Sequence, residues 1–568
     1  MVKLITIEQI RQIEAEADAN GISYAQMMDN AGYATARHAM HMLKDMPDVP
    51  RITILVGGGN NGGDGLVAGK YLSENGYEVR FYLLKRLDET YPPYQDVVSR
   101  GLFIAYAEDD YDSRVLRHMV ASADLILDAL LGIGARIPLS GDLTRILRMT
   151  KQAVRERKTE LMNPPIIQPT NPIYFSSKHT PRVLAVDCPS GVNCDIGEVD
   201  DNTLKADATI TFIAPKIGLV KYPAANFVGE LVIAPIDIPT TLLSMKDGVG
   251  ELVTGQMVKS YLPERPSESN KGTFGKTLVI GGCANYIGAM HLAGIGALRA
   301  GAGLVTIATP EPVVDKLAGT TPEPTWLPLK HTDGMLSSDA VSTVLSQISL
   351  YDSLLIGPGI GYSLITEQFI TNLFQAQGLY PNRPNISGLK PLMQHILGEN
   401  PKRLNAPNLV IDADGLNILA KIEEWWTLLP PYTIITPHPG EMARLCKLTT
   451  QEVQASRWEL ALEKAKTWRV IILLKGAHTI IATPEGNLSV LPFKNDALAT
   501  AGTGDILAGL ITGLLAGGAT PHLATIAGGY IHGLAGEIAY NRYQDGRGVV
   551  AGDVLACIPQ ALGQLNAI

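Results

Sequence analysis

Cysteine is scarce and scattered: Cys188, Cys194, Cys283, Cys446 and Cys557 are the only five in 568 residues. None stands at zinc-site spacing, and an odd, dispersed set builds no disulfide framework, so reduced and mostly buried thiols are expected. Positive charge is also short. Forty-seven Lys and Arg against 56 Asp and Glu leave a formal net charge of −9, which excludes a general nucleic-acid binder relying on excess basic residues. The opening MVKLITIEQIRQIEAEAD is charged throughout and lacks the apolar core of a signal peptide. The longest apolar region, Ile506 to Gly536, is cut by glycines, Pro521 and two histidines, and reads as buried core helices and not as a membrane span. A cytoplasmic protein is expected.

What the chain has is length and glycine. It carries 56 glycines, 46% hydrophobic and 18% charged residues, an α/β-leaning composition with enough material for two to four domains. One stretch joins small residues to a helix start, NDALATAGTGDILAG, Asn495 to Gly509. Its small residues let the backbone approach a ligand, and a helix starting at Thr503 would point free N–H groups at anionic oxygens. Asp505 in the first turn could hold a substrate hydroxyl or take its proton.

In the first half, Arg51–Val56 reads as a central parallel strand. A loop follows, Gly57 to Gly65, with six glycines in nine residues, more folding entropy than a plain turn warrants. The spacing is not G-x-G-x-x-G. Its two asparagines and its aspartate suit ribose hydroxyls, amides or a cation better than a bare pyrophosphate. The runs Leu125–Asp128 and Val183–Asp187 each end in Asp, and ligands in open α/β sheets sit beyond the carboxyl ends of strands. Arg136 in the segment after Asp128 suits phosphate, and the Ser190 hydroxyl in Cys188-Pro189-Ser190-Gly191 could join a cation shell. Residues 151–180 look like an added loop.

The motifs NNGGDGLVAG, DALLGIGAR, VDCPSG and TITFIAPKIGL, with the opening helices, resemble the NAD(P)H-hydrate epimerase family over about residues 1–240. The resemblance implies that Asn60, Asn61, Gly62, Gly63 and Asp64, the segment Gly132, Ile133, Gly134, Ala135, Arg136, Ile137 and Pro138, and Asp187 hold a hydrated nicotinamide nucleotide. It also implies K+ at Asn61, Asp128 and Ser190, although oxygen ligands alone do not select potassium over sodium. Asp187 is the candidate acid/base or ring-positioning group.

The second half begins after a mixed segment at 237–250. Strand-like runs end at Gly281-Gly282, at Gly357-Pro358-Gly359, at Asp412 and Asp414, at His438 between two prolines, and at Lys475-Gly476. The glycines of Arg299-Ala300-Gly301-Ala302-Gly303 are explained by tight packing alone. Residues 363–408 look like an insertion. The ordered set KGTFGKTLVIGG, IGPGIG, VIDADGLNIL, TPHPGEMARL, LLKGAHTII and AGTGDILAGLI resembles the ADP/ATP-dependent NAD(P)H-hydrate dehydratase family, a branch of the ribokinase-like superfamily. This implies substrate contacts at Ala289, Gly359, His438 and Asp505. It implies nucleotide contacts at Lys475, Gly476, Ala477, His478 and Thr479, and at Asn495, Gly502, Thr503 and Gly504. Asn270 departs from the His common in the family.

The expected architecture is α/β throughout. A Rossmann-like three-layer αβα domain (1–240) is joined by a linker (241–250) to a ribokinase-like αβα domain (251–568). The resemblance implies repair of NADHX and NADPHX, epimerising R and S forms and dehydrating the S form through phosphorylation of the ring hydroxyl. Mg2+ with ADP or ATP would serve the second half, with ADP favoured because fused forms are common where ADP is the donor. A homo-oligomer without nucleic-acid or membrane partners is expected. The alternatives are a vitamin kinase of the same superfamily and a binding protein with one inactive half.

Overall fold

Continuous β-branched and leucine-rich runs can be buried only as central strands covered on both faces, and the chain uses them this way twice. The computed structural model describes residues 2–46, 48–162, 180–239, 241–245, 247–376 and 407–568. It divides into two compact units, Val2–Val249 and Gly250–Ile568.

The first unit opens with β1 (Val2–Leu4) and the helices Ile7–Ala19 and Tyr24–Leu43. Its sheet comprises β2 (Arg51–Val56), β3 (Glu78–Leu83), β4 (Phe103–Tyr106), β5 (Leu125–Ala129), β6 (Arg182–Val186), β7 (Ala208–Phe212) and β8 (Glu230–Ala234). The order is β4-β3-β2-β5-β6-β7-β8, and every pairing is parallel. The pleat sends alternate residues into two cores. Ile52, Ile54 and Val56 pack with Ile10, Met27 and Leu66 on one face. Leu55 and Ile126 pack with Leu116, Met119 and Ile146 on the other. That is the doubly wound, three-layer arrangement, and the order reverses between β2 and β5, the position at which ligands bind in such sheets.

Two segments differ from the sequence expectation. The glycine-rich stretch is not a loop as far as Gly65: the helix Asn60–Glu74 begins at Asn60. Its glycines are set by close approach, since a Cβ at Gly65 would lie 2.6 Å from the Ala129 Cβ and one at Gly62 would strike the Gly57 carbonyl. Residues 151–162 are not an added loop but the end of the helix Gly141–Met162. Gln152 donates to Glu156 one turn on (2.8 Å), and Arg117 reaches Glu156 from the neighbouring helix (2.9 Å). Residues 163–179 lie outside the described residues.

The second unit contains β9 (Gly250–Leu252), β10 (Lys276–Ile280), β11 (Leu304–Pro310), β12 (Thr325–Leu329) and a hairpin of β13 (His331–Thr332) and β14 (Met335–Leu336). Further on come β15 (Ser353–Ile356), β16 (Asn408–Ile411), β17 (Ile434–Ile435), β18 (Ile471–Leu474), β19 (Ile480–Ala482) and β20 (Leu488–Val490). Its strands run in the order β9-β20-β19-β18-β17-β16-β15-β10-β11-β12. From β18 to β12 all pairs are parallel, whereas β19 pairs antiparallel with both neighbours. Here the switch point falls between β10 and β15.

Glycine decides one helix contact. The helices Ile287–Arg299 and Thr503–Ala516 cross so closely that a methyl at Gly509 or Gly513 would run into the carbonyls of Ala293 or Ala297. This fixes the start of the second helix against the ligand end of the sheet. Of the expected insertion at 363–408, Leu364–Gln375 forms a helix capped by Ser363, and residues 377–406 lie outside the described residues.

Candidate functional site

Each unit gathers polar side chains at its switch point. In the first, Asn60 to Asp64 form the start of a helix whose N-cap, Gly59, offers no side-chain cap, leaving first-turn N–H groups for a ligand. Asn61 is buried, yet neither its Oδ1 nor its Nδ2 finds a hydrogen-bond partner. Gly132 brings the pieces together: a Cβ there would sit 3.3 Å from the Asn61 Cβ and 3.5 Å from Asp187 Oδ2. The loop continues through a turn in which Ala135 N donates to the Gly132 carbonyl (3.2 Å). Ile133 packs against the core, Ile137 is half-buried, and Gly134, Arg136 and Pro138 are exposed.

Asp128, fully buried at the end of β5, accepts from Ser190 N (2.9 Å), Ser190 Oγ (2.6 Å) and Leu130 N (3.4 Å). Burial nevertheless raises its carboxyl above the ordinary range. Asp187 follows β6 with φ 64°, in the left-handed region, and its Oδ2 lies near Gly132. Lys216, 1% exposed, donates its ammonium to Asp187 Oδ1, to Thr211 Oγ1 (2.9 Å) and to the Phe212 carbonyl (3.3 Å). Around this pair, burial and the charges of Asp187 and Glu14 push Asp64 well above the carboxylate range, against the pull of Lys216. Glu14 is raised by burial too, with Lys216 opposing and Asp187 reinforcing.

In the second unit the corresponding cluster is Asp412, Glu441, Lys475 and Asp505. Lys475 Nζ donates to Asp412 Oδ1 (2.8 Å) and lies 3.7 Å from Glu441 Oε2. Thr436 Oγ1 donates to the same Asp412 oxygen (2.8 Å). Asp505 occupies the first turn of Thr503–Ala516, which starts from Gly502 at φ 95°. Burial and the charge of Asp412 outweigh Lys475 and lift the Asp505 carboxyl to about 7. Burial lifts Glu441 to about 7 as well, against Lys475 and with the help of Asp412. A Cβ at Gly504 would be 3.4 Å from Lys475 Nζ, so the lysine and the helix N-terminus face the same space.

His438 caps the helix Pro439–Cys446: its Nδ1 accepts from Gly440 N (3.0 Å) and its own N donates to Glu441 Oε2 (2.7 Å). Burial and the charges of Lys475 and Arg444 lower the imidazole pKa. Gly359, at φ 59°, lies against Ala289: a Cβ there would be 2.7 Å from that of Ala289. Leu292, one turn beyond Ala289, abuts Gly502 (2.6 Å from its Cβ position), so the substrate contacts expected at Ala289 and Gly359 border the Gly502 turn.

The nucleotide set is mixed. Arg457 braces the 475–479 segment by donating to the carbonyls of Leu474, Lys475 and Ala477 (3.2–3.3 Å). Thr479 Oγ1 donates back to Gly476 (2.7 Å). The His478 ring is turned inward, its Nδ1 against the Leu491 carbonyl (3.2 Å), and burial lowers it to about 4; it holds the loop. Asn495 accepts from Ala497 N (3.1 Å) while its buried Nδ2 has no partner. Thr503 Oγ1 donates to Leu498 and Thr500 carbonyls (both 2.9 Å). Asn270, the departure from the dehydratase motif, accepts from Gly272 N (2.9 Å) and closes a turn.

Residues 24–218 match the family described as YjeF-related protein N-terminus, and residues 277–560 match the NAD(P)H-hydrate dehydratase family. The bifunctional NAD(P)H-hydrate repair enzyme Nnr of Moorella thermoacetica is 33% identical over 99% of this chain and 97% of its own length. The chain belongs to the bifunctional NAD(P)H-hydrate repair enzyme family. The Nnr of Thermofilum pendens is 32% identical over 100% of this chain and 97% of its own. A crystal structure of the ADP/ATP-dependent NAD(P)H-hydrate dehydratase from Bacillus subtilis aligns with 29% identity over 56% of this chain and 99% of that one, with a TM-score of 0.44.

In this member of the repair family, sequence reasoning missed Lys216, Glu14 and Arg457 and gave Asp412 no role. Lys216 left a signal: it is the one charge in the apolar run Ile213-Ala214-Pro215-Lys216-Ile217-Gly218-Leu219. Glu14 left none, because one more carboxylate on a charged amphipathic helix is what solvent exposure also predicts.

Proposed function

We propose that the chain repairs hydrated nicotinamide nucleotides, with the Val2–Val249 unit interconverting the R and S epimers of NAD(P)HX and the Gly250–Ile568 unit dehydrating the S epimer. The observation that carries the second half is Asp505: a carboxyl poised near neutrality in the first turn of a helix whose N-terminus also faces Lys475. Dehydration must expel hydroxide, a poor leaving group. A nucleoside di- or triphosphate passes its terminal phosphoryl to the ring hydroxyl and leaves as the mono- or diphosphate with the P–O electron pair, while Asp505 takes the hydroxyl proton and the helix N–H groups from Gly502 to Gly504 receive charge on the transferred phosphoryl. Phosphate then leaves with the C–O electron pair while the adjacent ring carbon loses a proton, which restores the dihydronicotinamide. ADP is the favoured donor.

Mg2+ fits here as the companion of the nucleotide phosphates, because the raised Asp505 and Glu441 carboxyls are what a nearby cation would lower. K+ fits the first unit. Asp128 is a buried carboxylate whose hydrogen-bond donors are neutral, and Asn61 Oδ1 is buried and unpartnered; with a Ser190 oxygen they form a hard, oxygen-only set. Bound there, the ion would supply positive charge beside the nucleotide. Among the described residues no helix is long and apolar enough to cross a membrane. A cytoplasmic setting and homo-oligomeric assembly belong to the same reading, and sedimentation tests the latter.

The deciding experiment is an assay on mixed R- and S-NADHX with Mg2+ and ADP, ATP or neither, followed by recovery of the near-ultraviolet absorbance of the reduced ring. Full recovery with one nucleotide, including the R fraction faster than its spontaneous epimerisation, is expected. Recovery of the S fraction alone would remove the epimerase half. No recovery would overturn the reading in favour of a vitamin kinase.

A further inference from the structure

One buried charged group of the first unit, Lys216, is accounted for by no role above. Lys216 sits just past β7, at the ligand end of the sheet, with its side chain 2% exposed. Its donors are spent on Asp187 Oδ1, Thr211 Oγ1 and the Phe212 carbonyl. An enclosed ion pair is poor value as a stabiliser, because desolvating two charges costs about as much as their attraction returns. Apolar side chains would fill the position at least as well for stability alone.

The geometry of Asp187 explains the lysine. Only Oδ1 is engaged, by Lys216 and at 3.4 Å by Thr211. Oδ2 takes no hydrogen bond from the described residues and faces Gly132, where a Cβ would lie 3.5 Å away, beside Asn61. A flexible carboxylate at a left-handed strand end would rotate; one clamped through a single oxygen presents the other in a fixed direction.

We propose that Lys216 is the positioning residue of the epimerisation centre, clamping Asp187 through Oδ1 so that Oδ2 is aimed at the ring hydroxyl of the hydrate. The proposal rests on the epimerase reading of this unit. The hydrated carbon bears both the hydroxyl and the ring nitrogen, so it is a carbinolamine. Oδ2 takes the hydroxyl proton, the carbon–oxygen bond becomes a carbonyl, and the carbon–nitrogen pair moves onto the nitrogen, conjugated with the carboxamide-bearing double bond. The nitrogen re-adds to the opposite face as Oδ2 returns the proton, with no net change in atoms or electrons. Lys216 acts through Asp187 and touches no substrate atom.

The test is a double-mutant cycle on the full chain with R-NADHX as substrate, using Lys216→Met, Asp187→Asn and both together. Lys216→Met is expected to lower kcat for epimerisation by about 100-fold, with KM moving less than about threefold. The double variant should be no slower than Asp187→Asn alone, because the lysine has nothing left to position. Should Lys216→Met fail to fold with Asp187 unpaired, the double variant, which buries neither charge, still closes the comparison. Wild-type turnover in Lys216→Met, a loss confined to KM, or a double variant about tenfold slower than Asp187→Asn would overturn the proposal. If wild type leaves the R fraction at its spontaneous rate, the epimerase reading itself fails, and this is seen before any variant is made.

Discussion

The two units use one electrostatic device in two settings. Each places a lysine among three carboxyl groups at the carboxyl ends of parallel strands: Lys216 with Asp187, Asp64 and Glu14, and Lys475 with Asp412, Glu441 and Asp505. In both, one carboxylate takes the ammonium and burial pushes the others toward their protonated forms. Depth separates the two. Asp64 is driven well above the carboxylate range by burial and by the charges of Asp187 and Glu14. Asp505 and Glu441 stop at about 7, where a group can gain and lose a proton during turnover. Lys475 is also the less enclosed of the two lysines, with its side chain 19% exposed beside the helix N-terminus. The first unit holds its working carboxylate by an ion pair, whereas activating a hydroxyl toward a phosphoryl group suits a base that ionises near neutrality.

That contrast can be broken most sharply at Asp505. Asp505→Asn should lower dehydration of S-NADHX by about 10³-fold, measured by absorbance recovery with ADP and with ATP; a variant as fast as wild type would remove Asp505 as the base. The pH profile comes next. A base raised to about 7 is protonated, and inactive, below that pH, so kcat/KM for dehydration should fall about tenfold per unit on the acid side and level off above. A dehydratase profile flat from pH 5 to 8 would end the comparison. A smaller effect belongs to the first unit: exchanging K+ for a bulky organic cation should slow epimerisation by about tenfold, and Asn61→Ala should abolish that response. The smallest is Gly502→Ala. Glycine is needed there for φ 95° and for the Leu292 contact, and the strain of about 1 kcal/mol should appear as a severalfold weaker KM for the nucleotide.

Much of both candidate sites could be read from the sequence because the expected contacts lie in short contiguous stretches. Asn60–Asp64, Gly132–Pro138, Lys475–Thr479 and Gly502–Asp505 each follow a strand or begin a helix, and glycine at such junctions is visible from sequence. Where the reading failed, local pattern was the wrong guide. A run of six glycines looks like a loop, but here it starts a helix that runs so close to the Gly57 turn and to Ala129 that Gly62 and Gly65 have no room for a side chain. His478, in a phosphate-loop context, turns into the core because the Leu491 carbonyl on the neighbouring hairpin accepts its ring.

By itself the sequence determined the class of fold, the family and the order of the glycine-bearing turns, since strand runs, helix starts and glycine spacing are properties of neighbouring residues. Only the tertiary structure decided the charge state of the sites. Glu14 and Asp187 stand 173 positions apart, Lys475 and Asp412 stand 63 apart, and no local rule couples them. Their effect on one another arises from shared burial, where low polarity makes each charge felt by all the others.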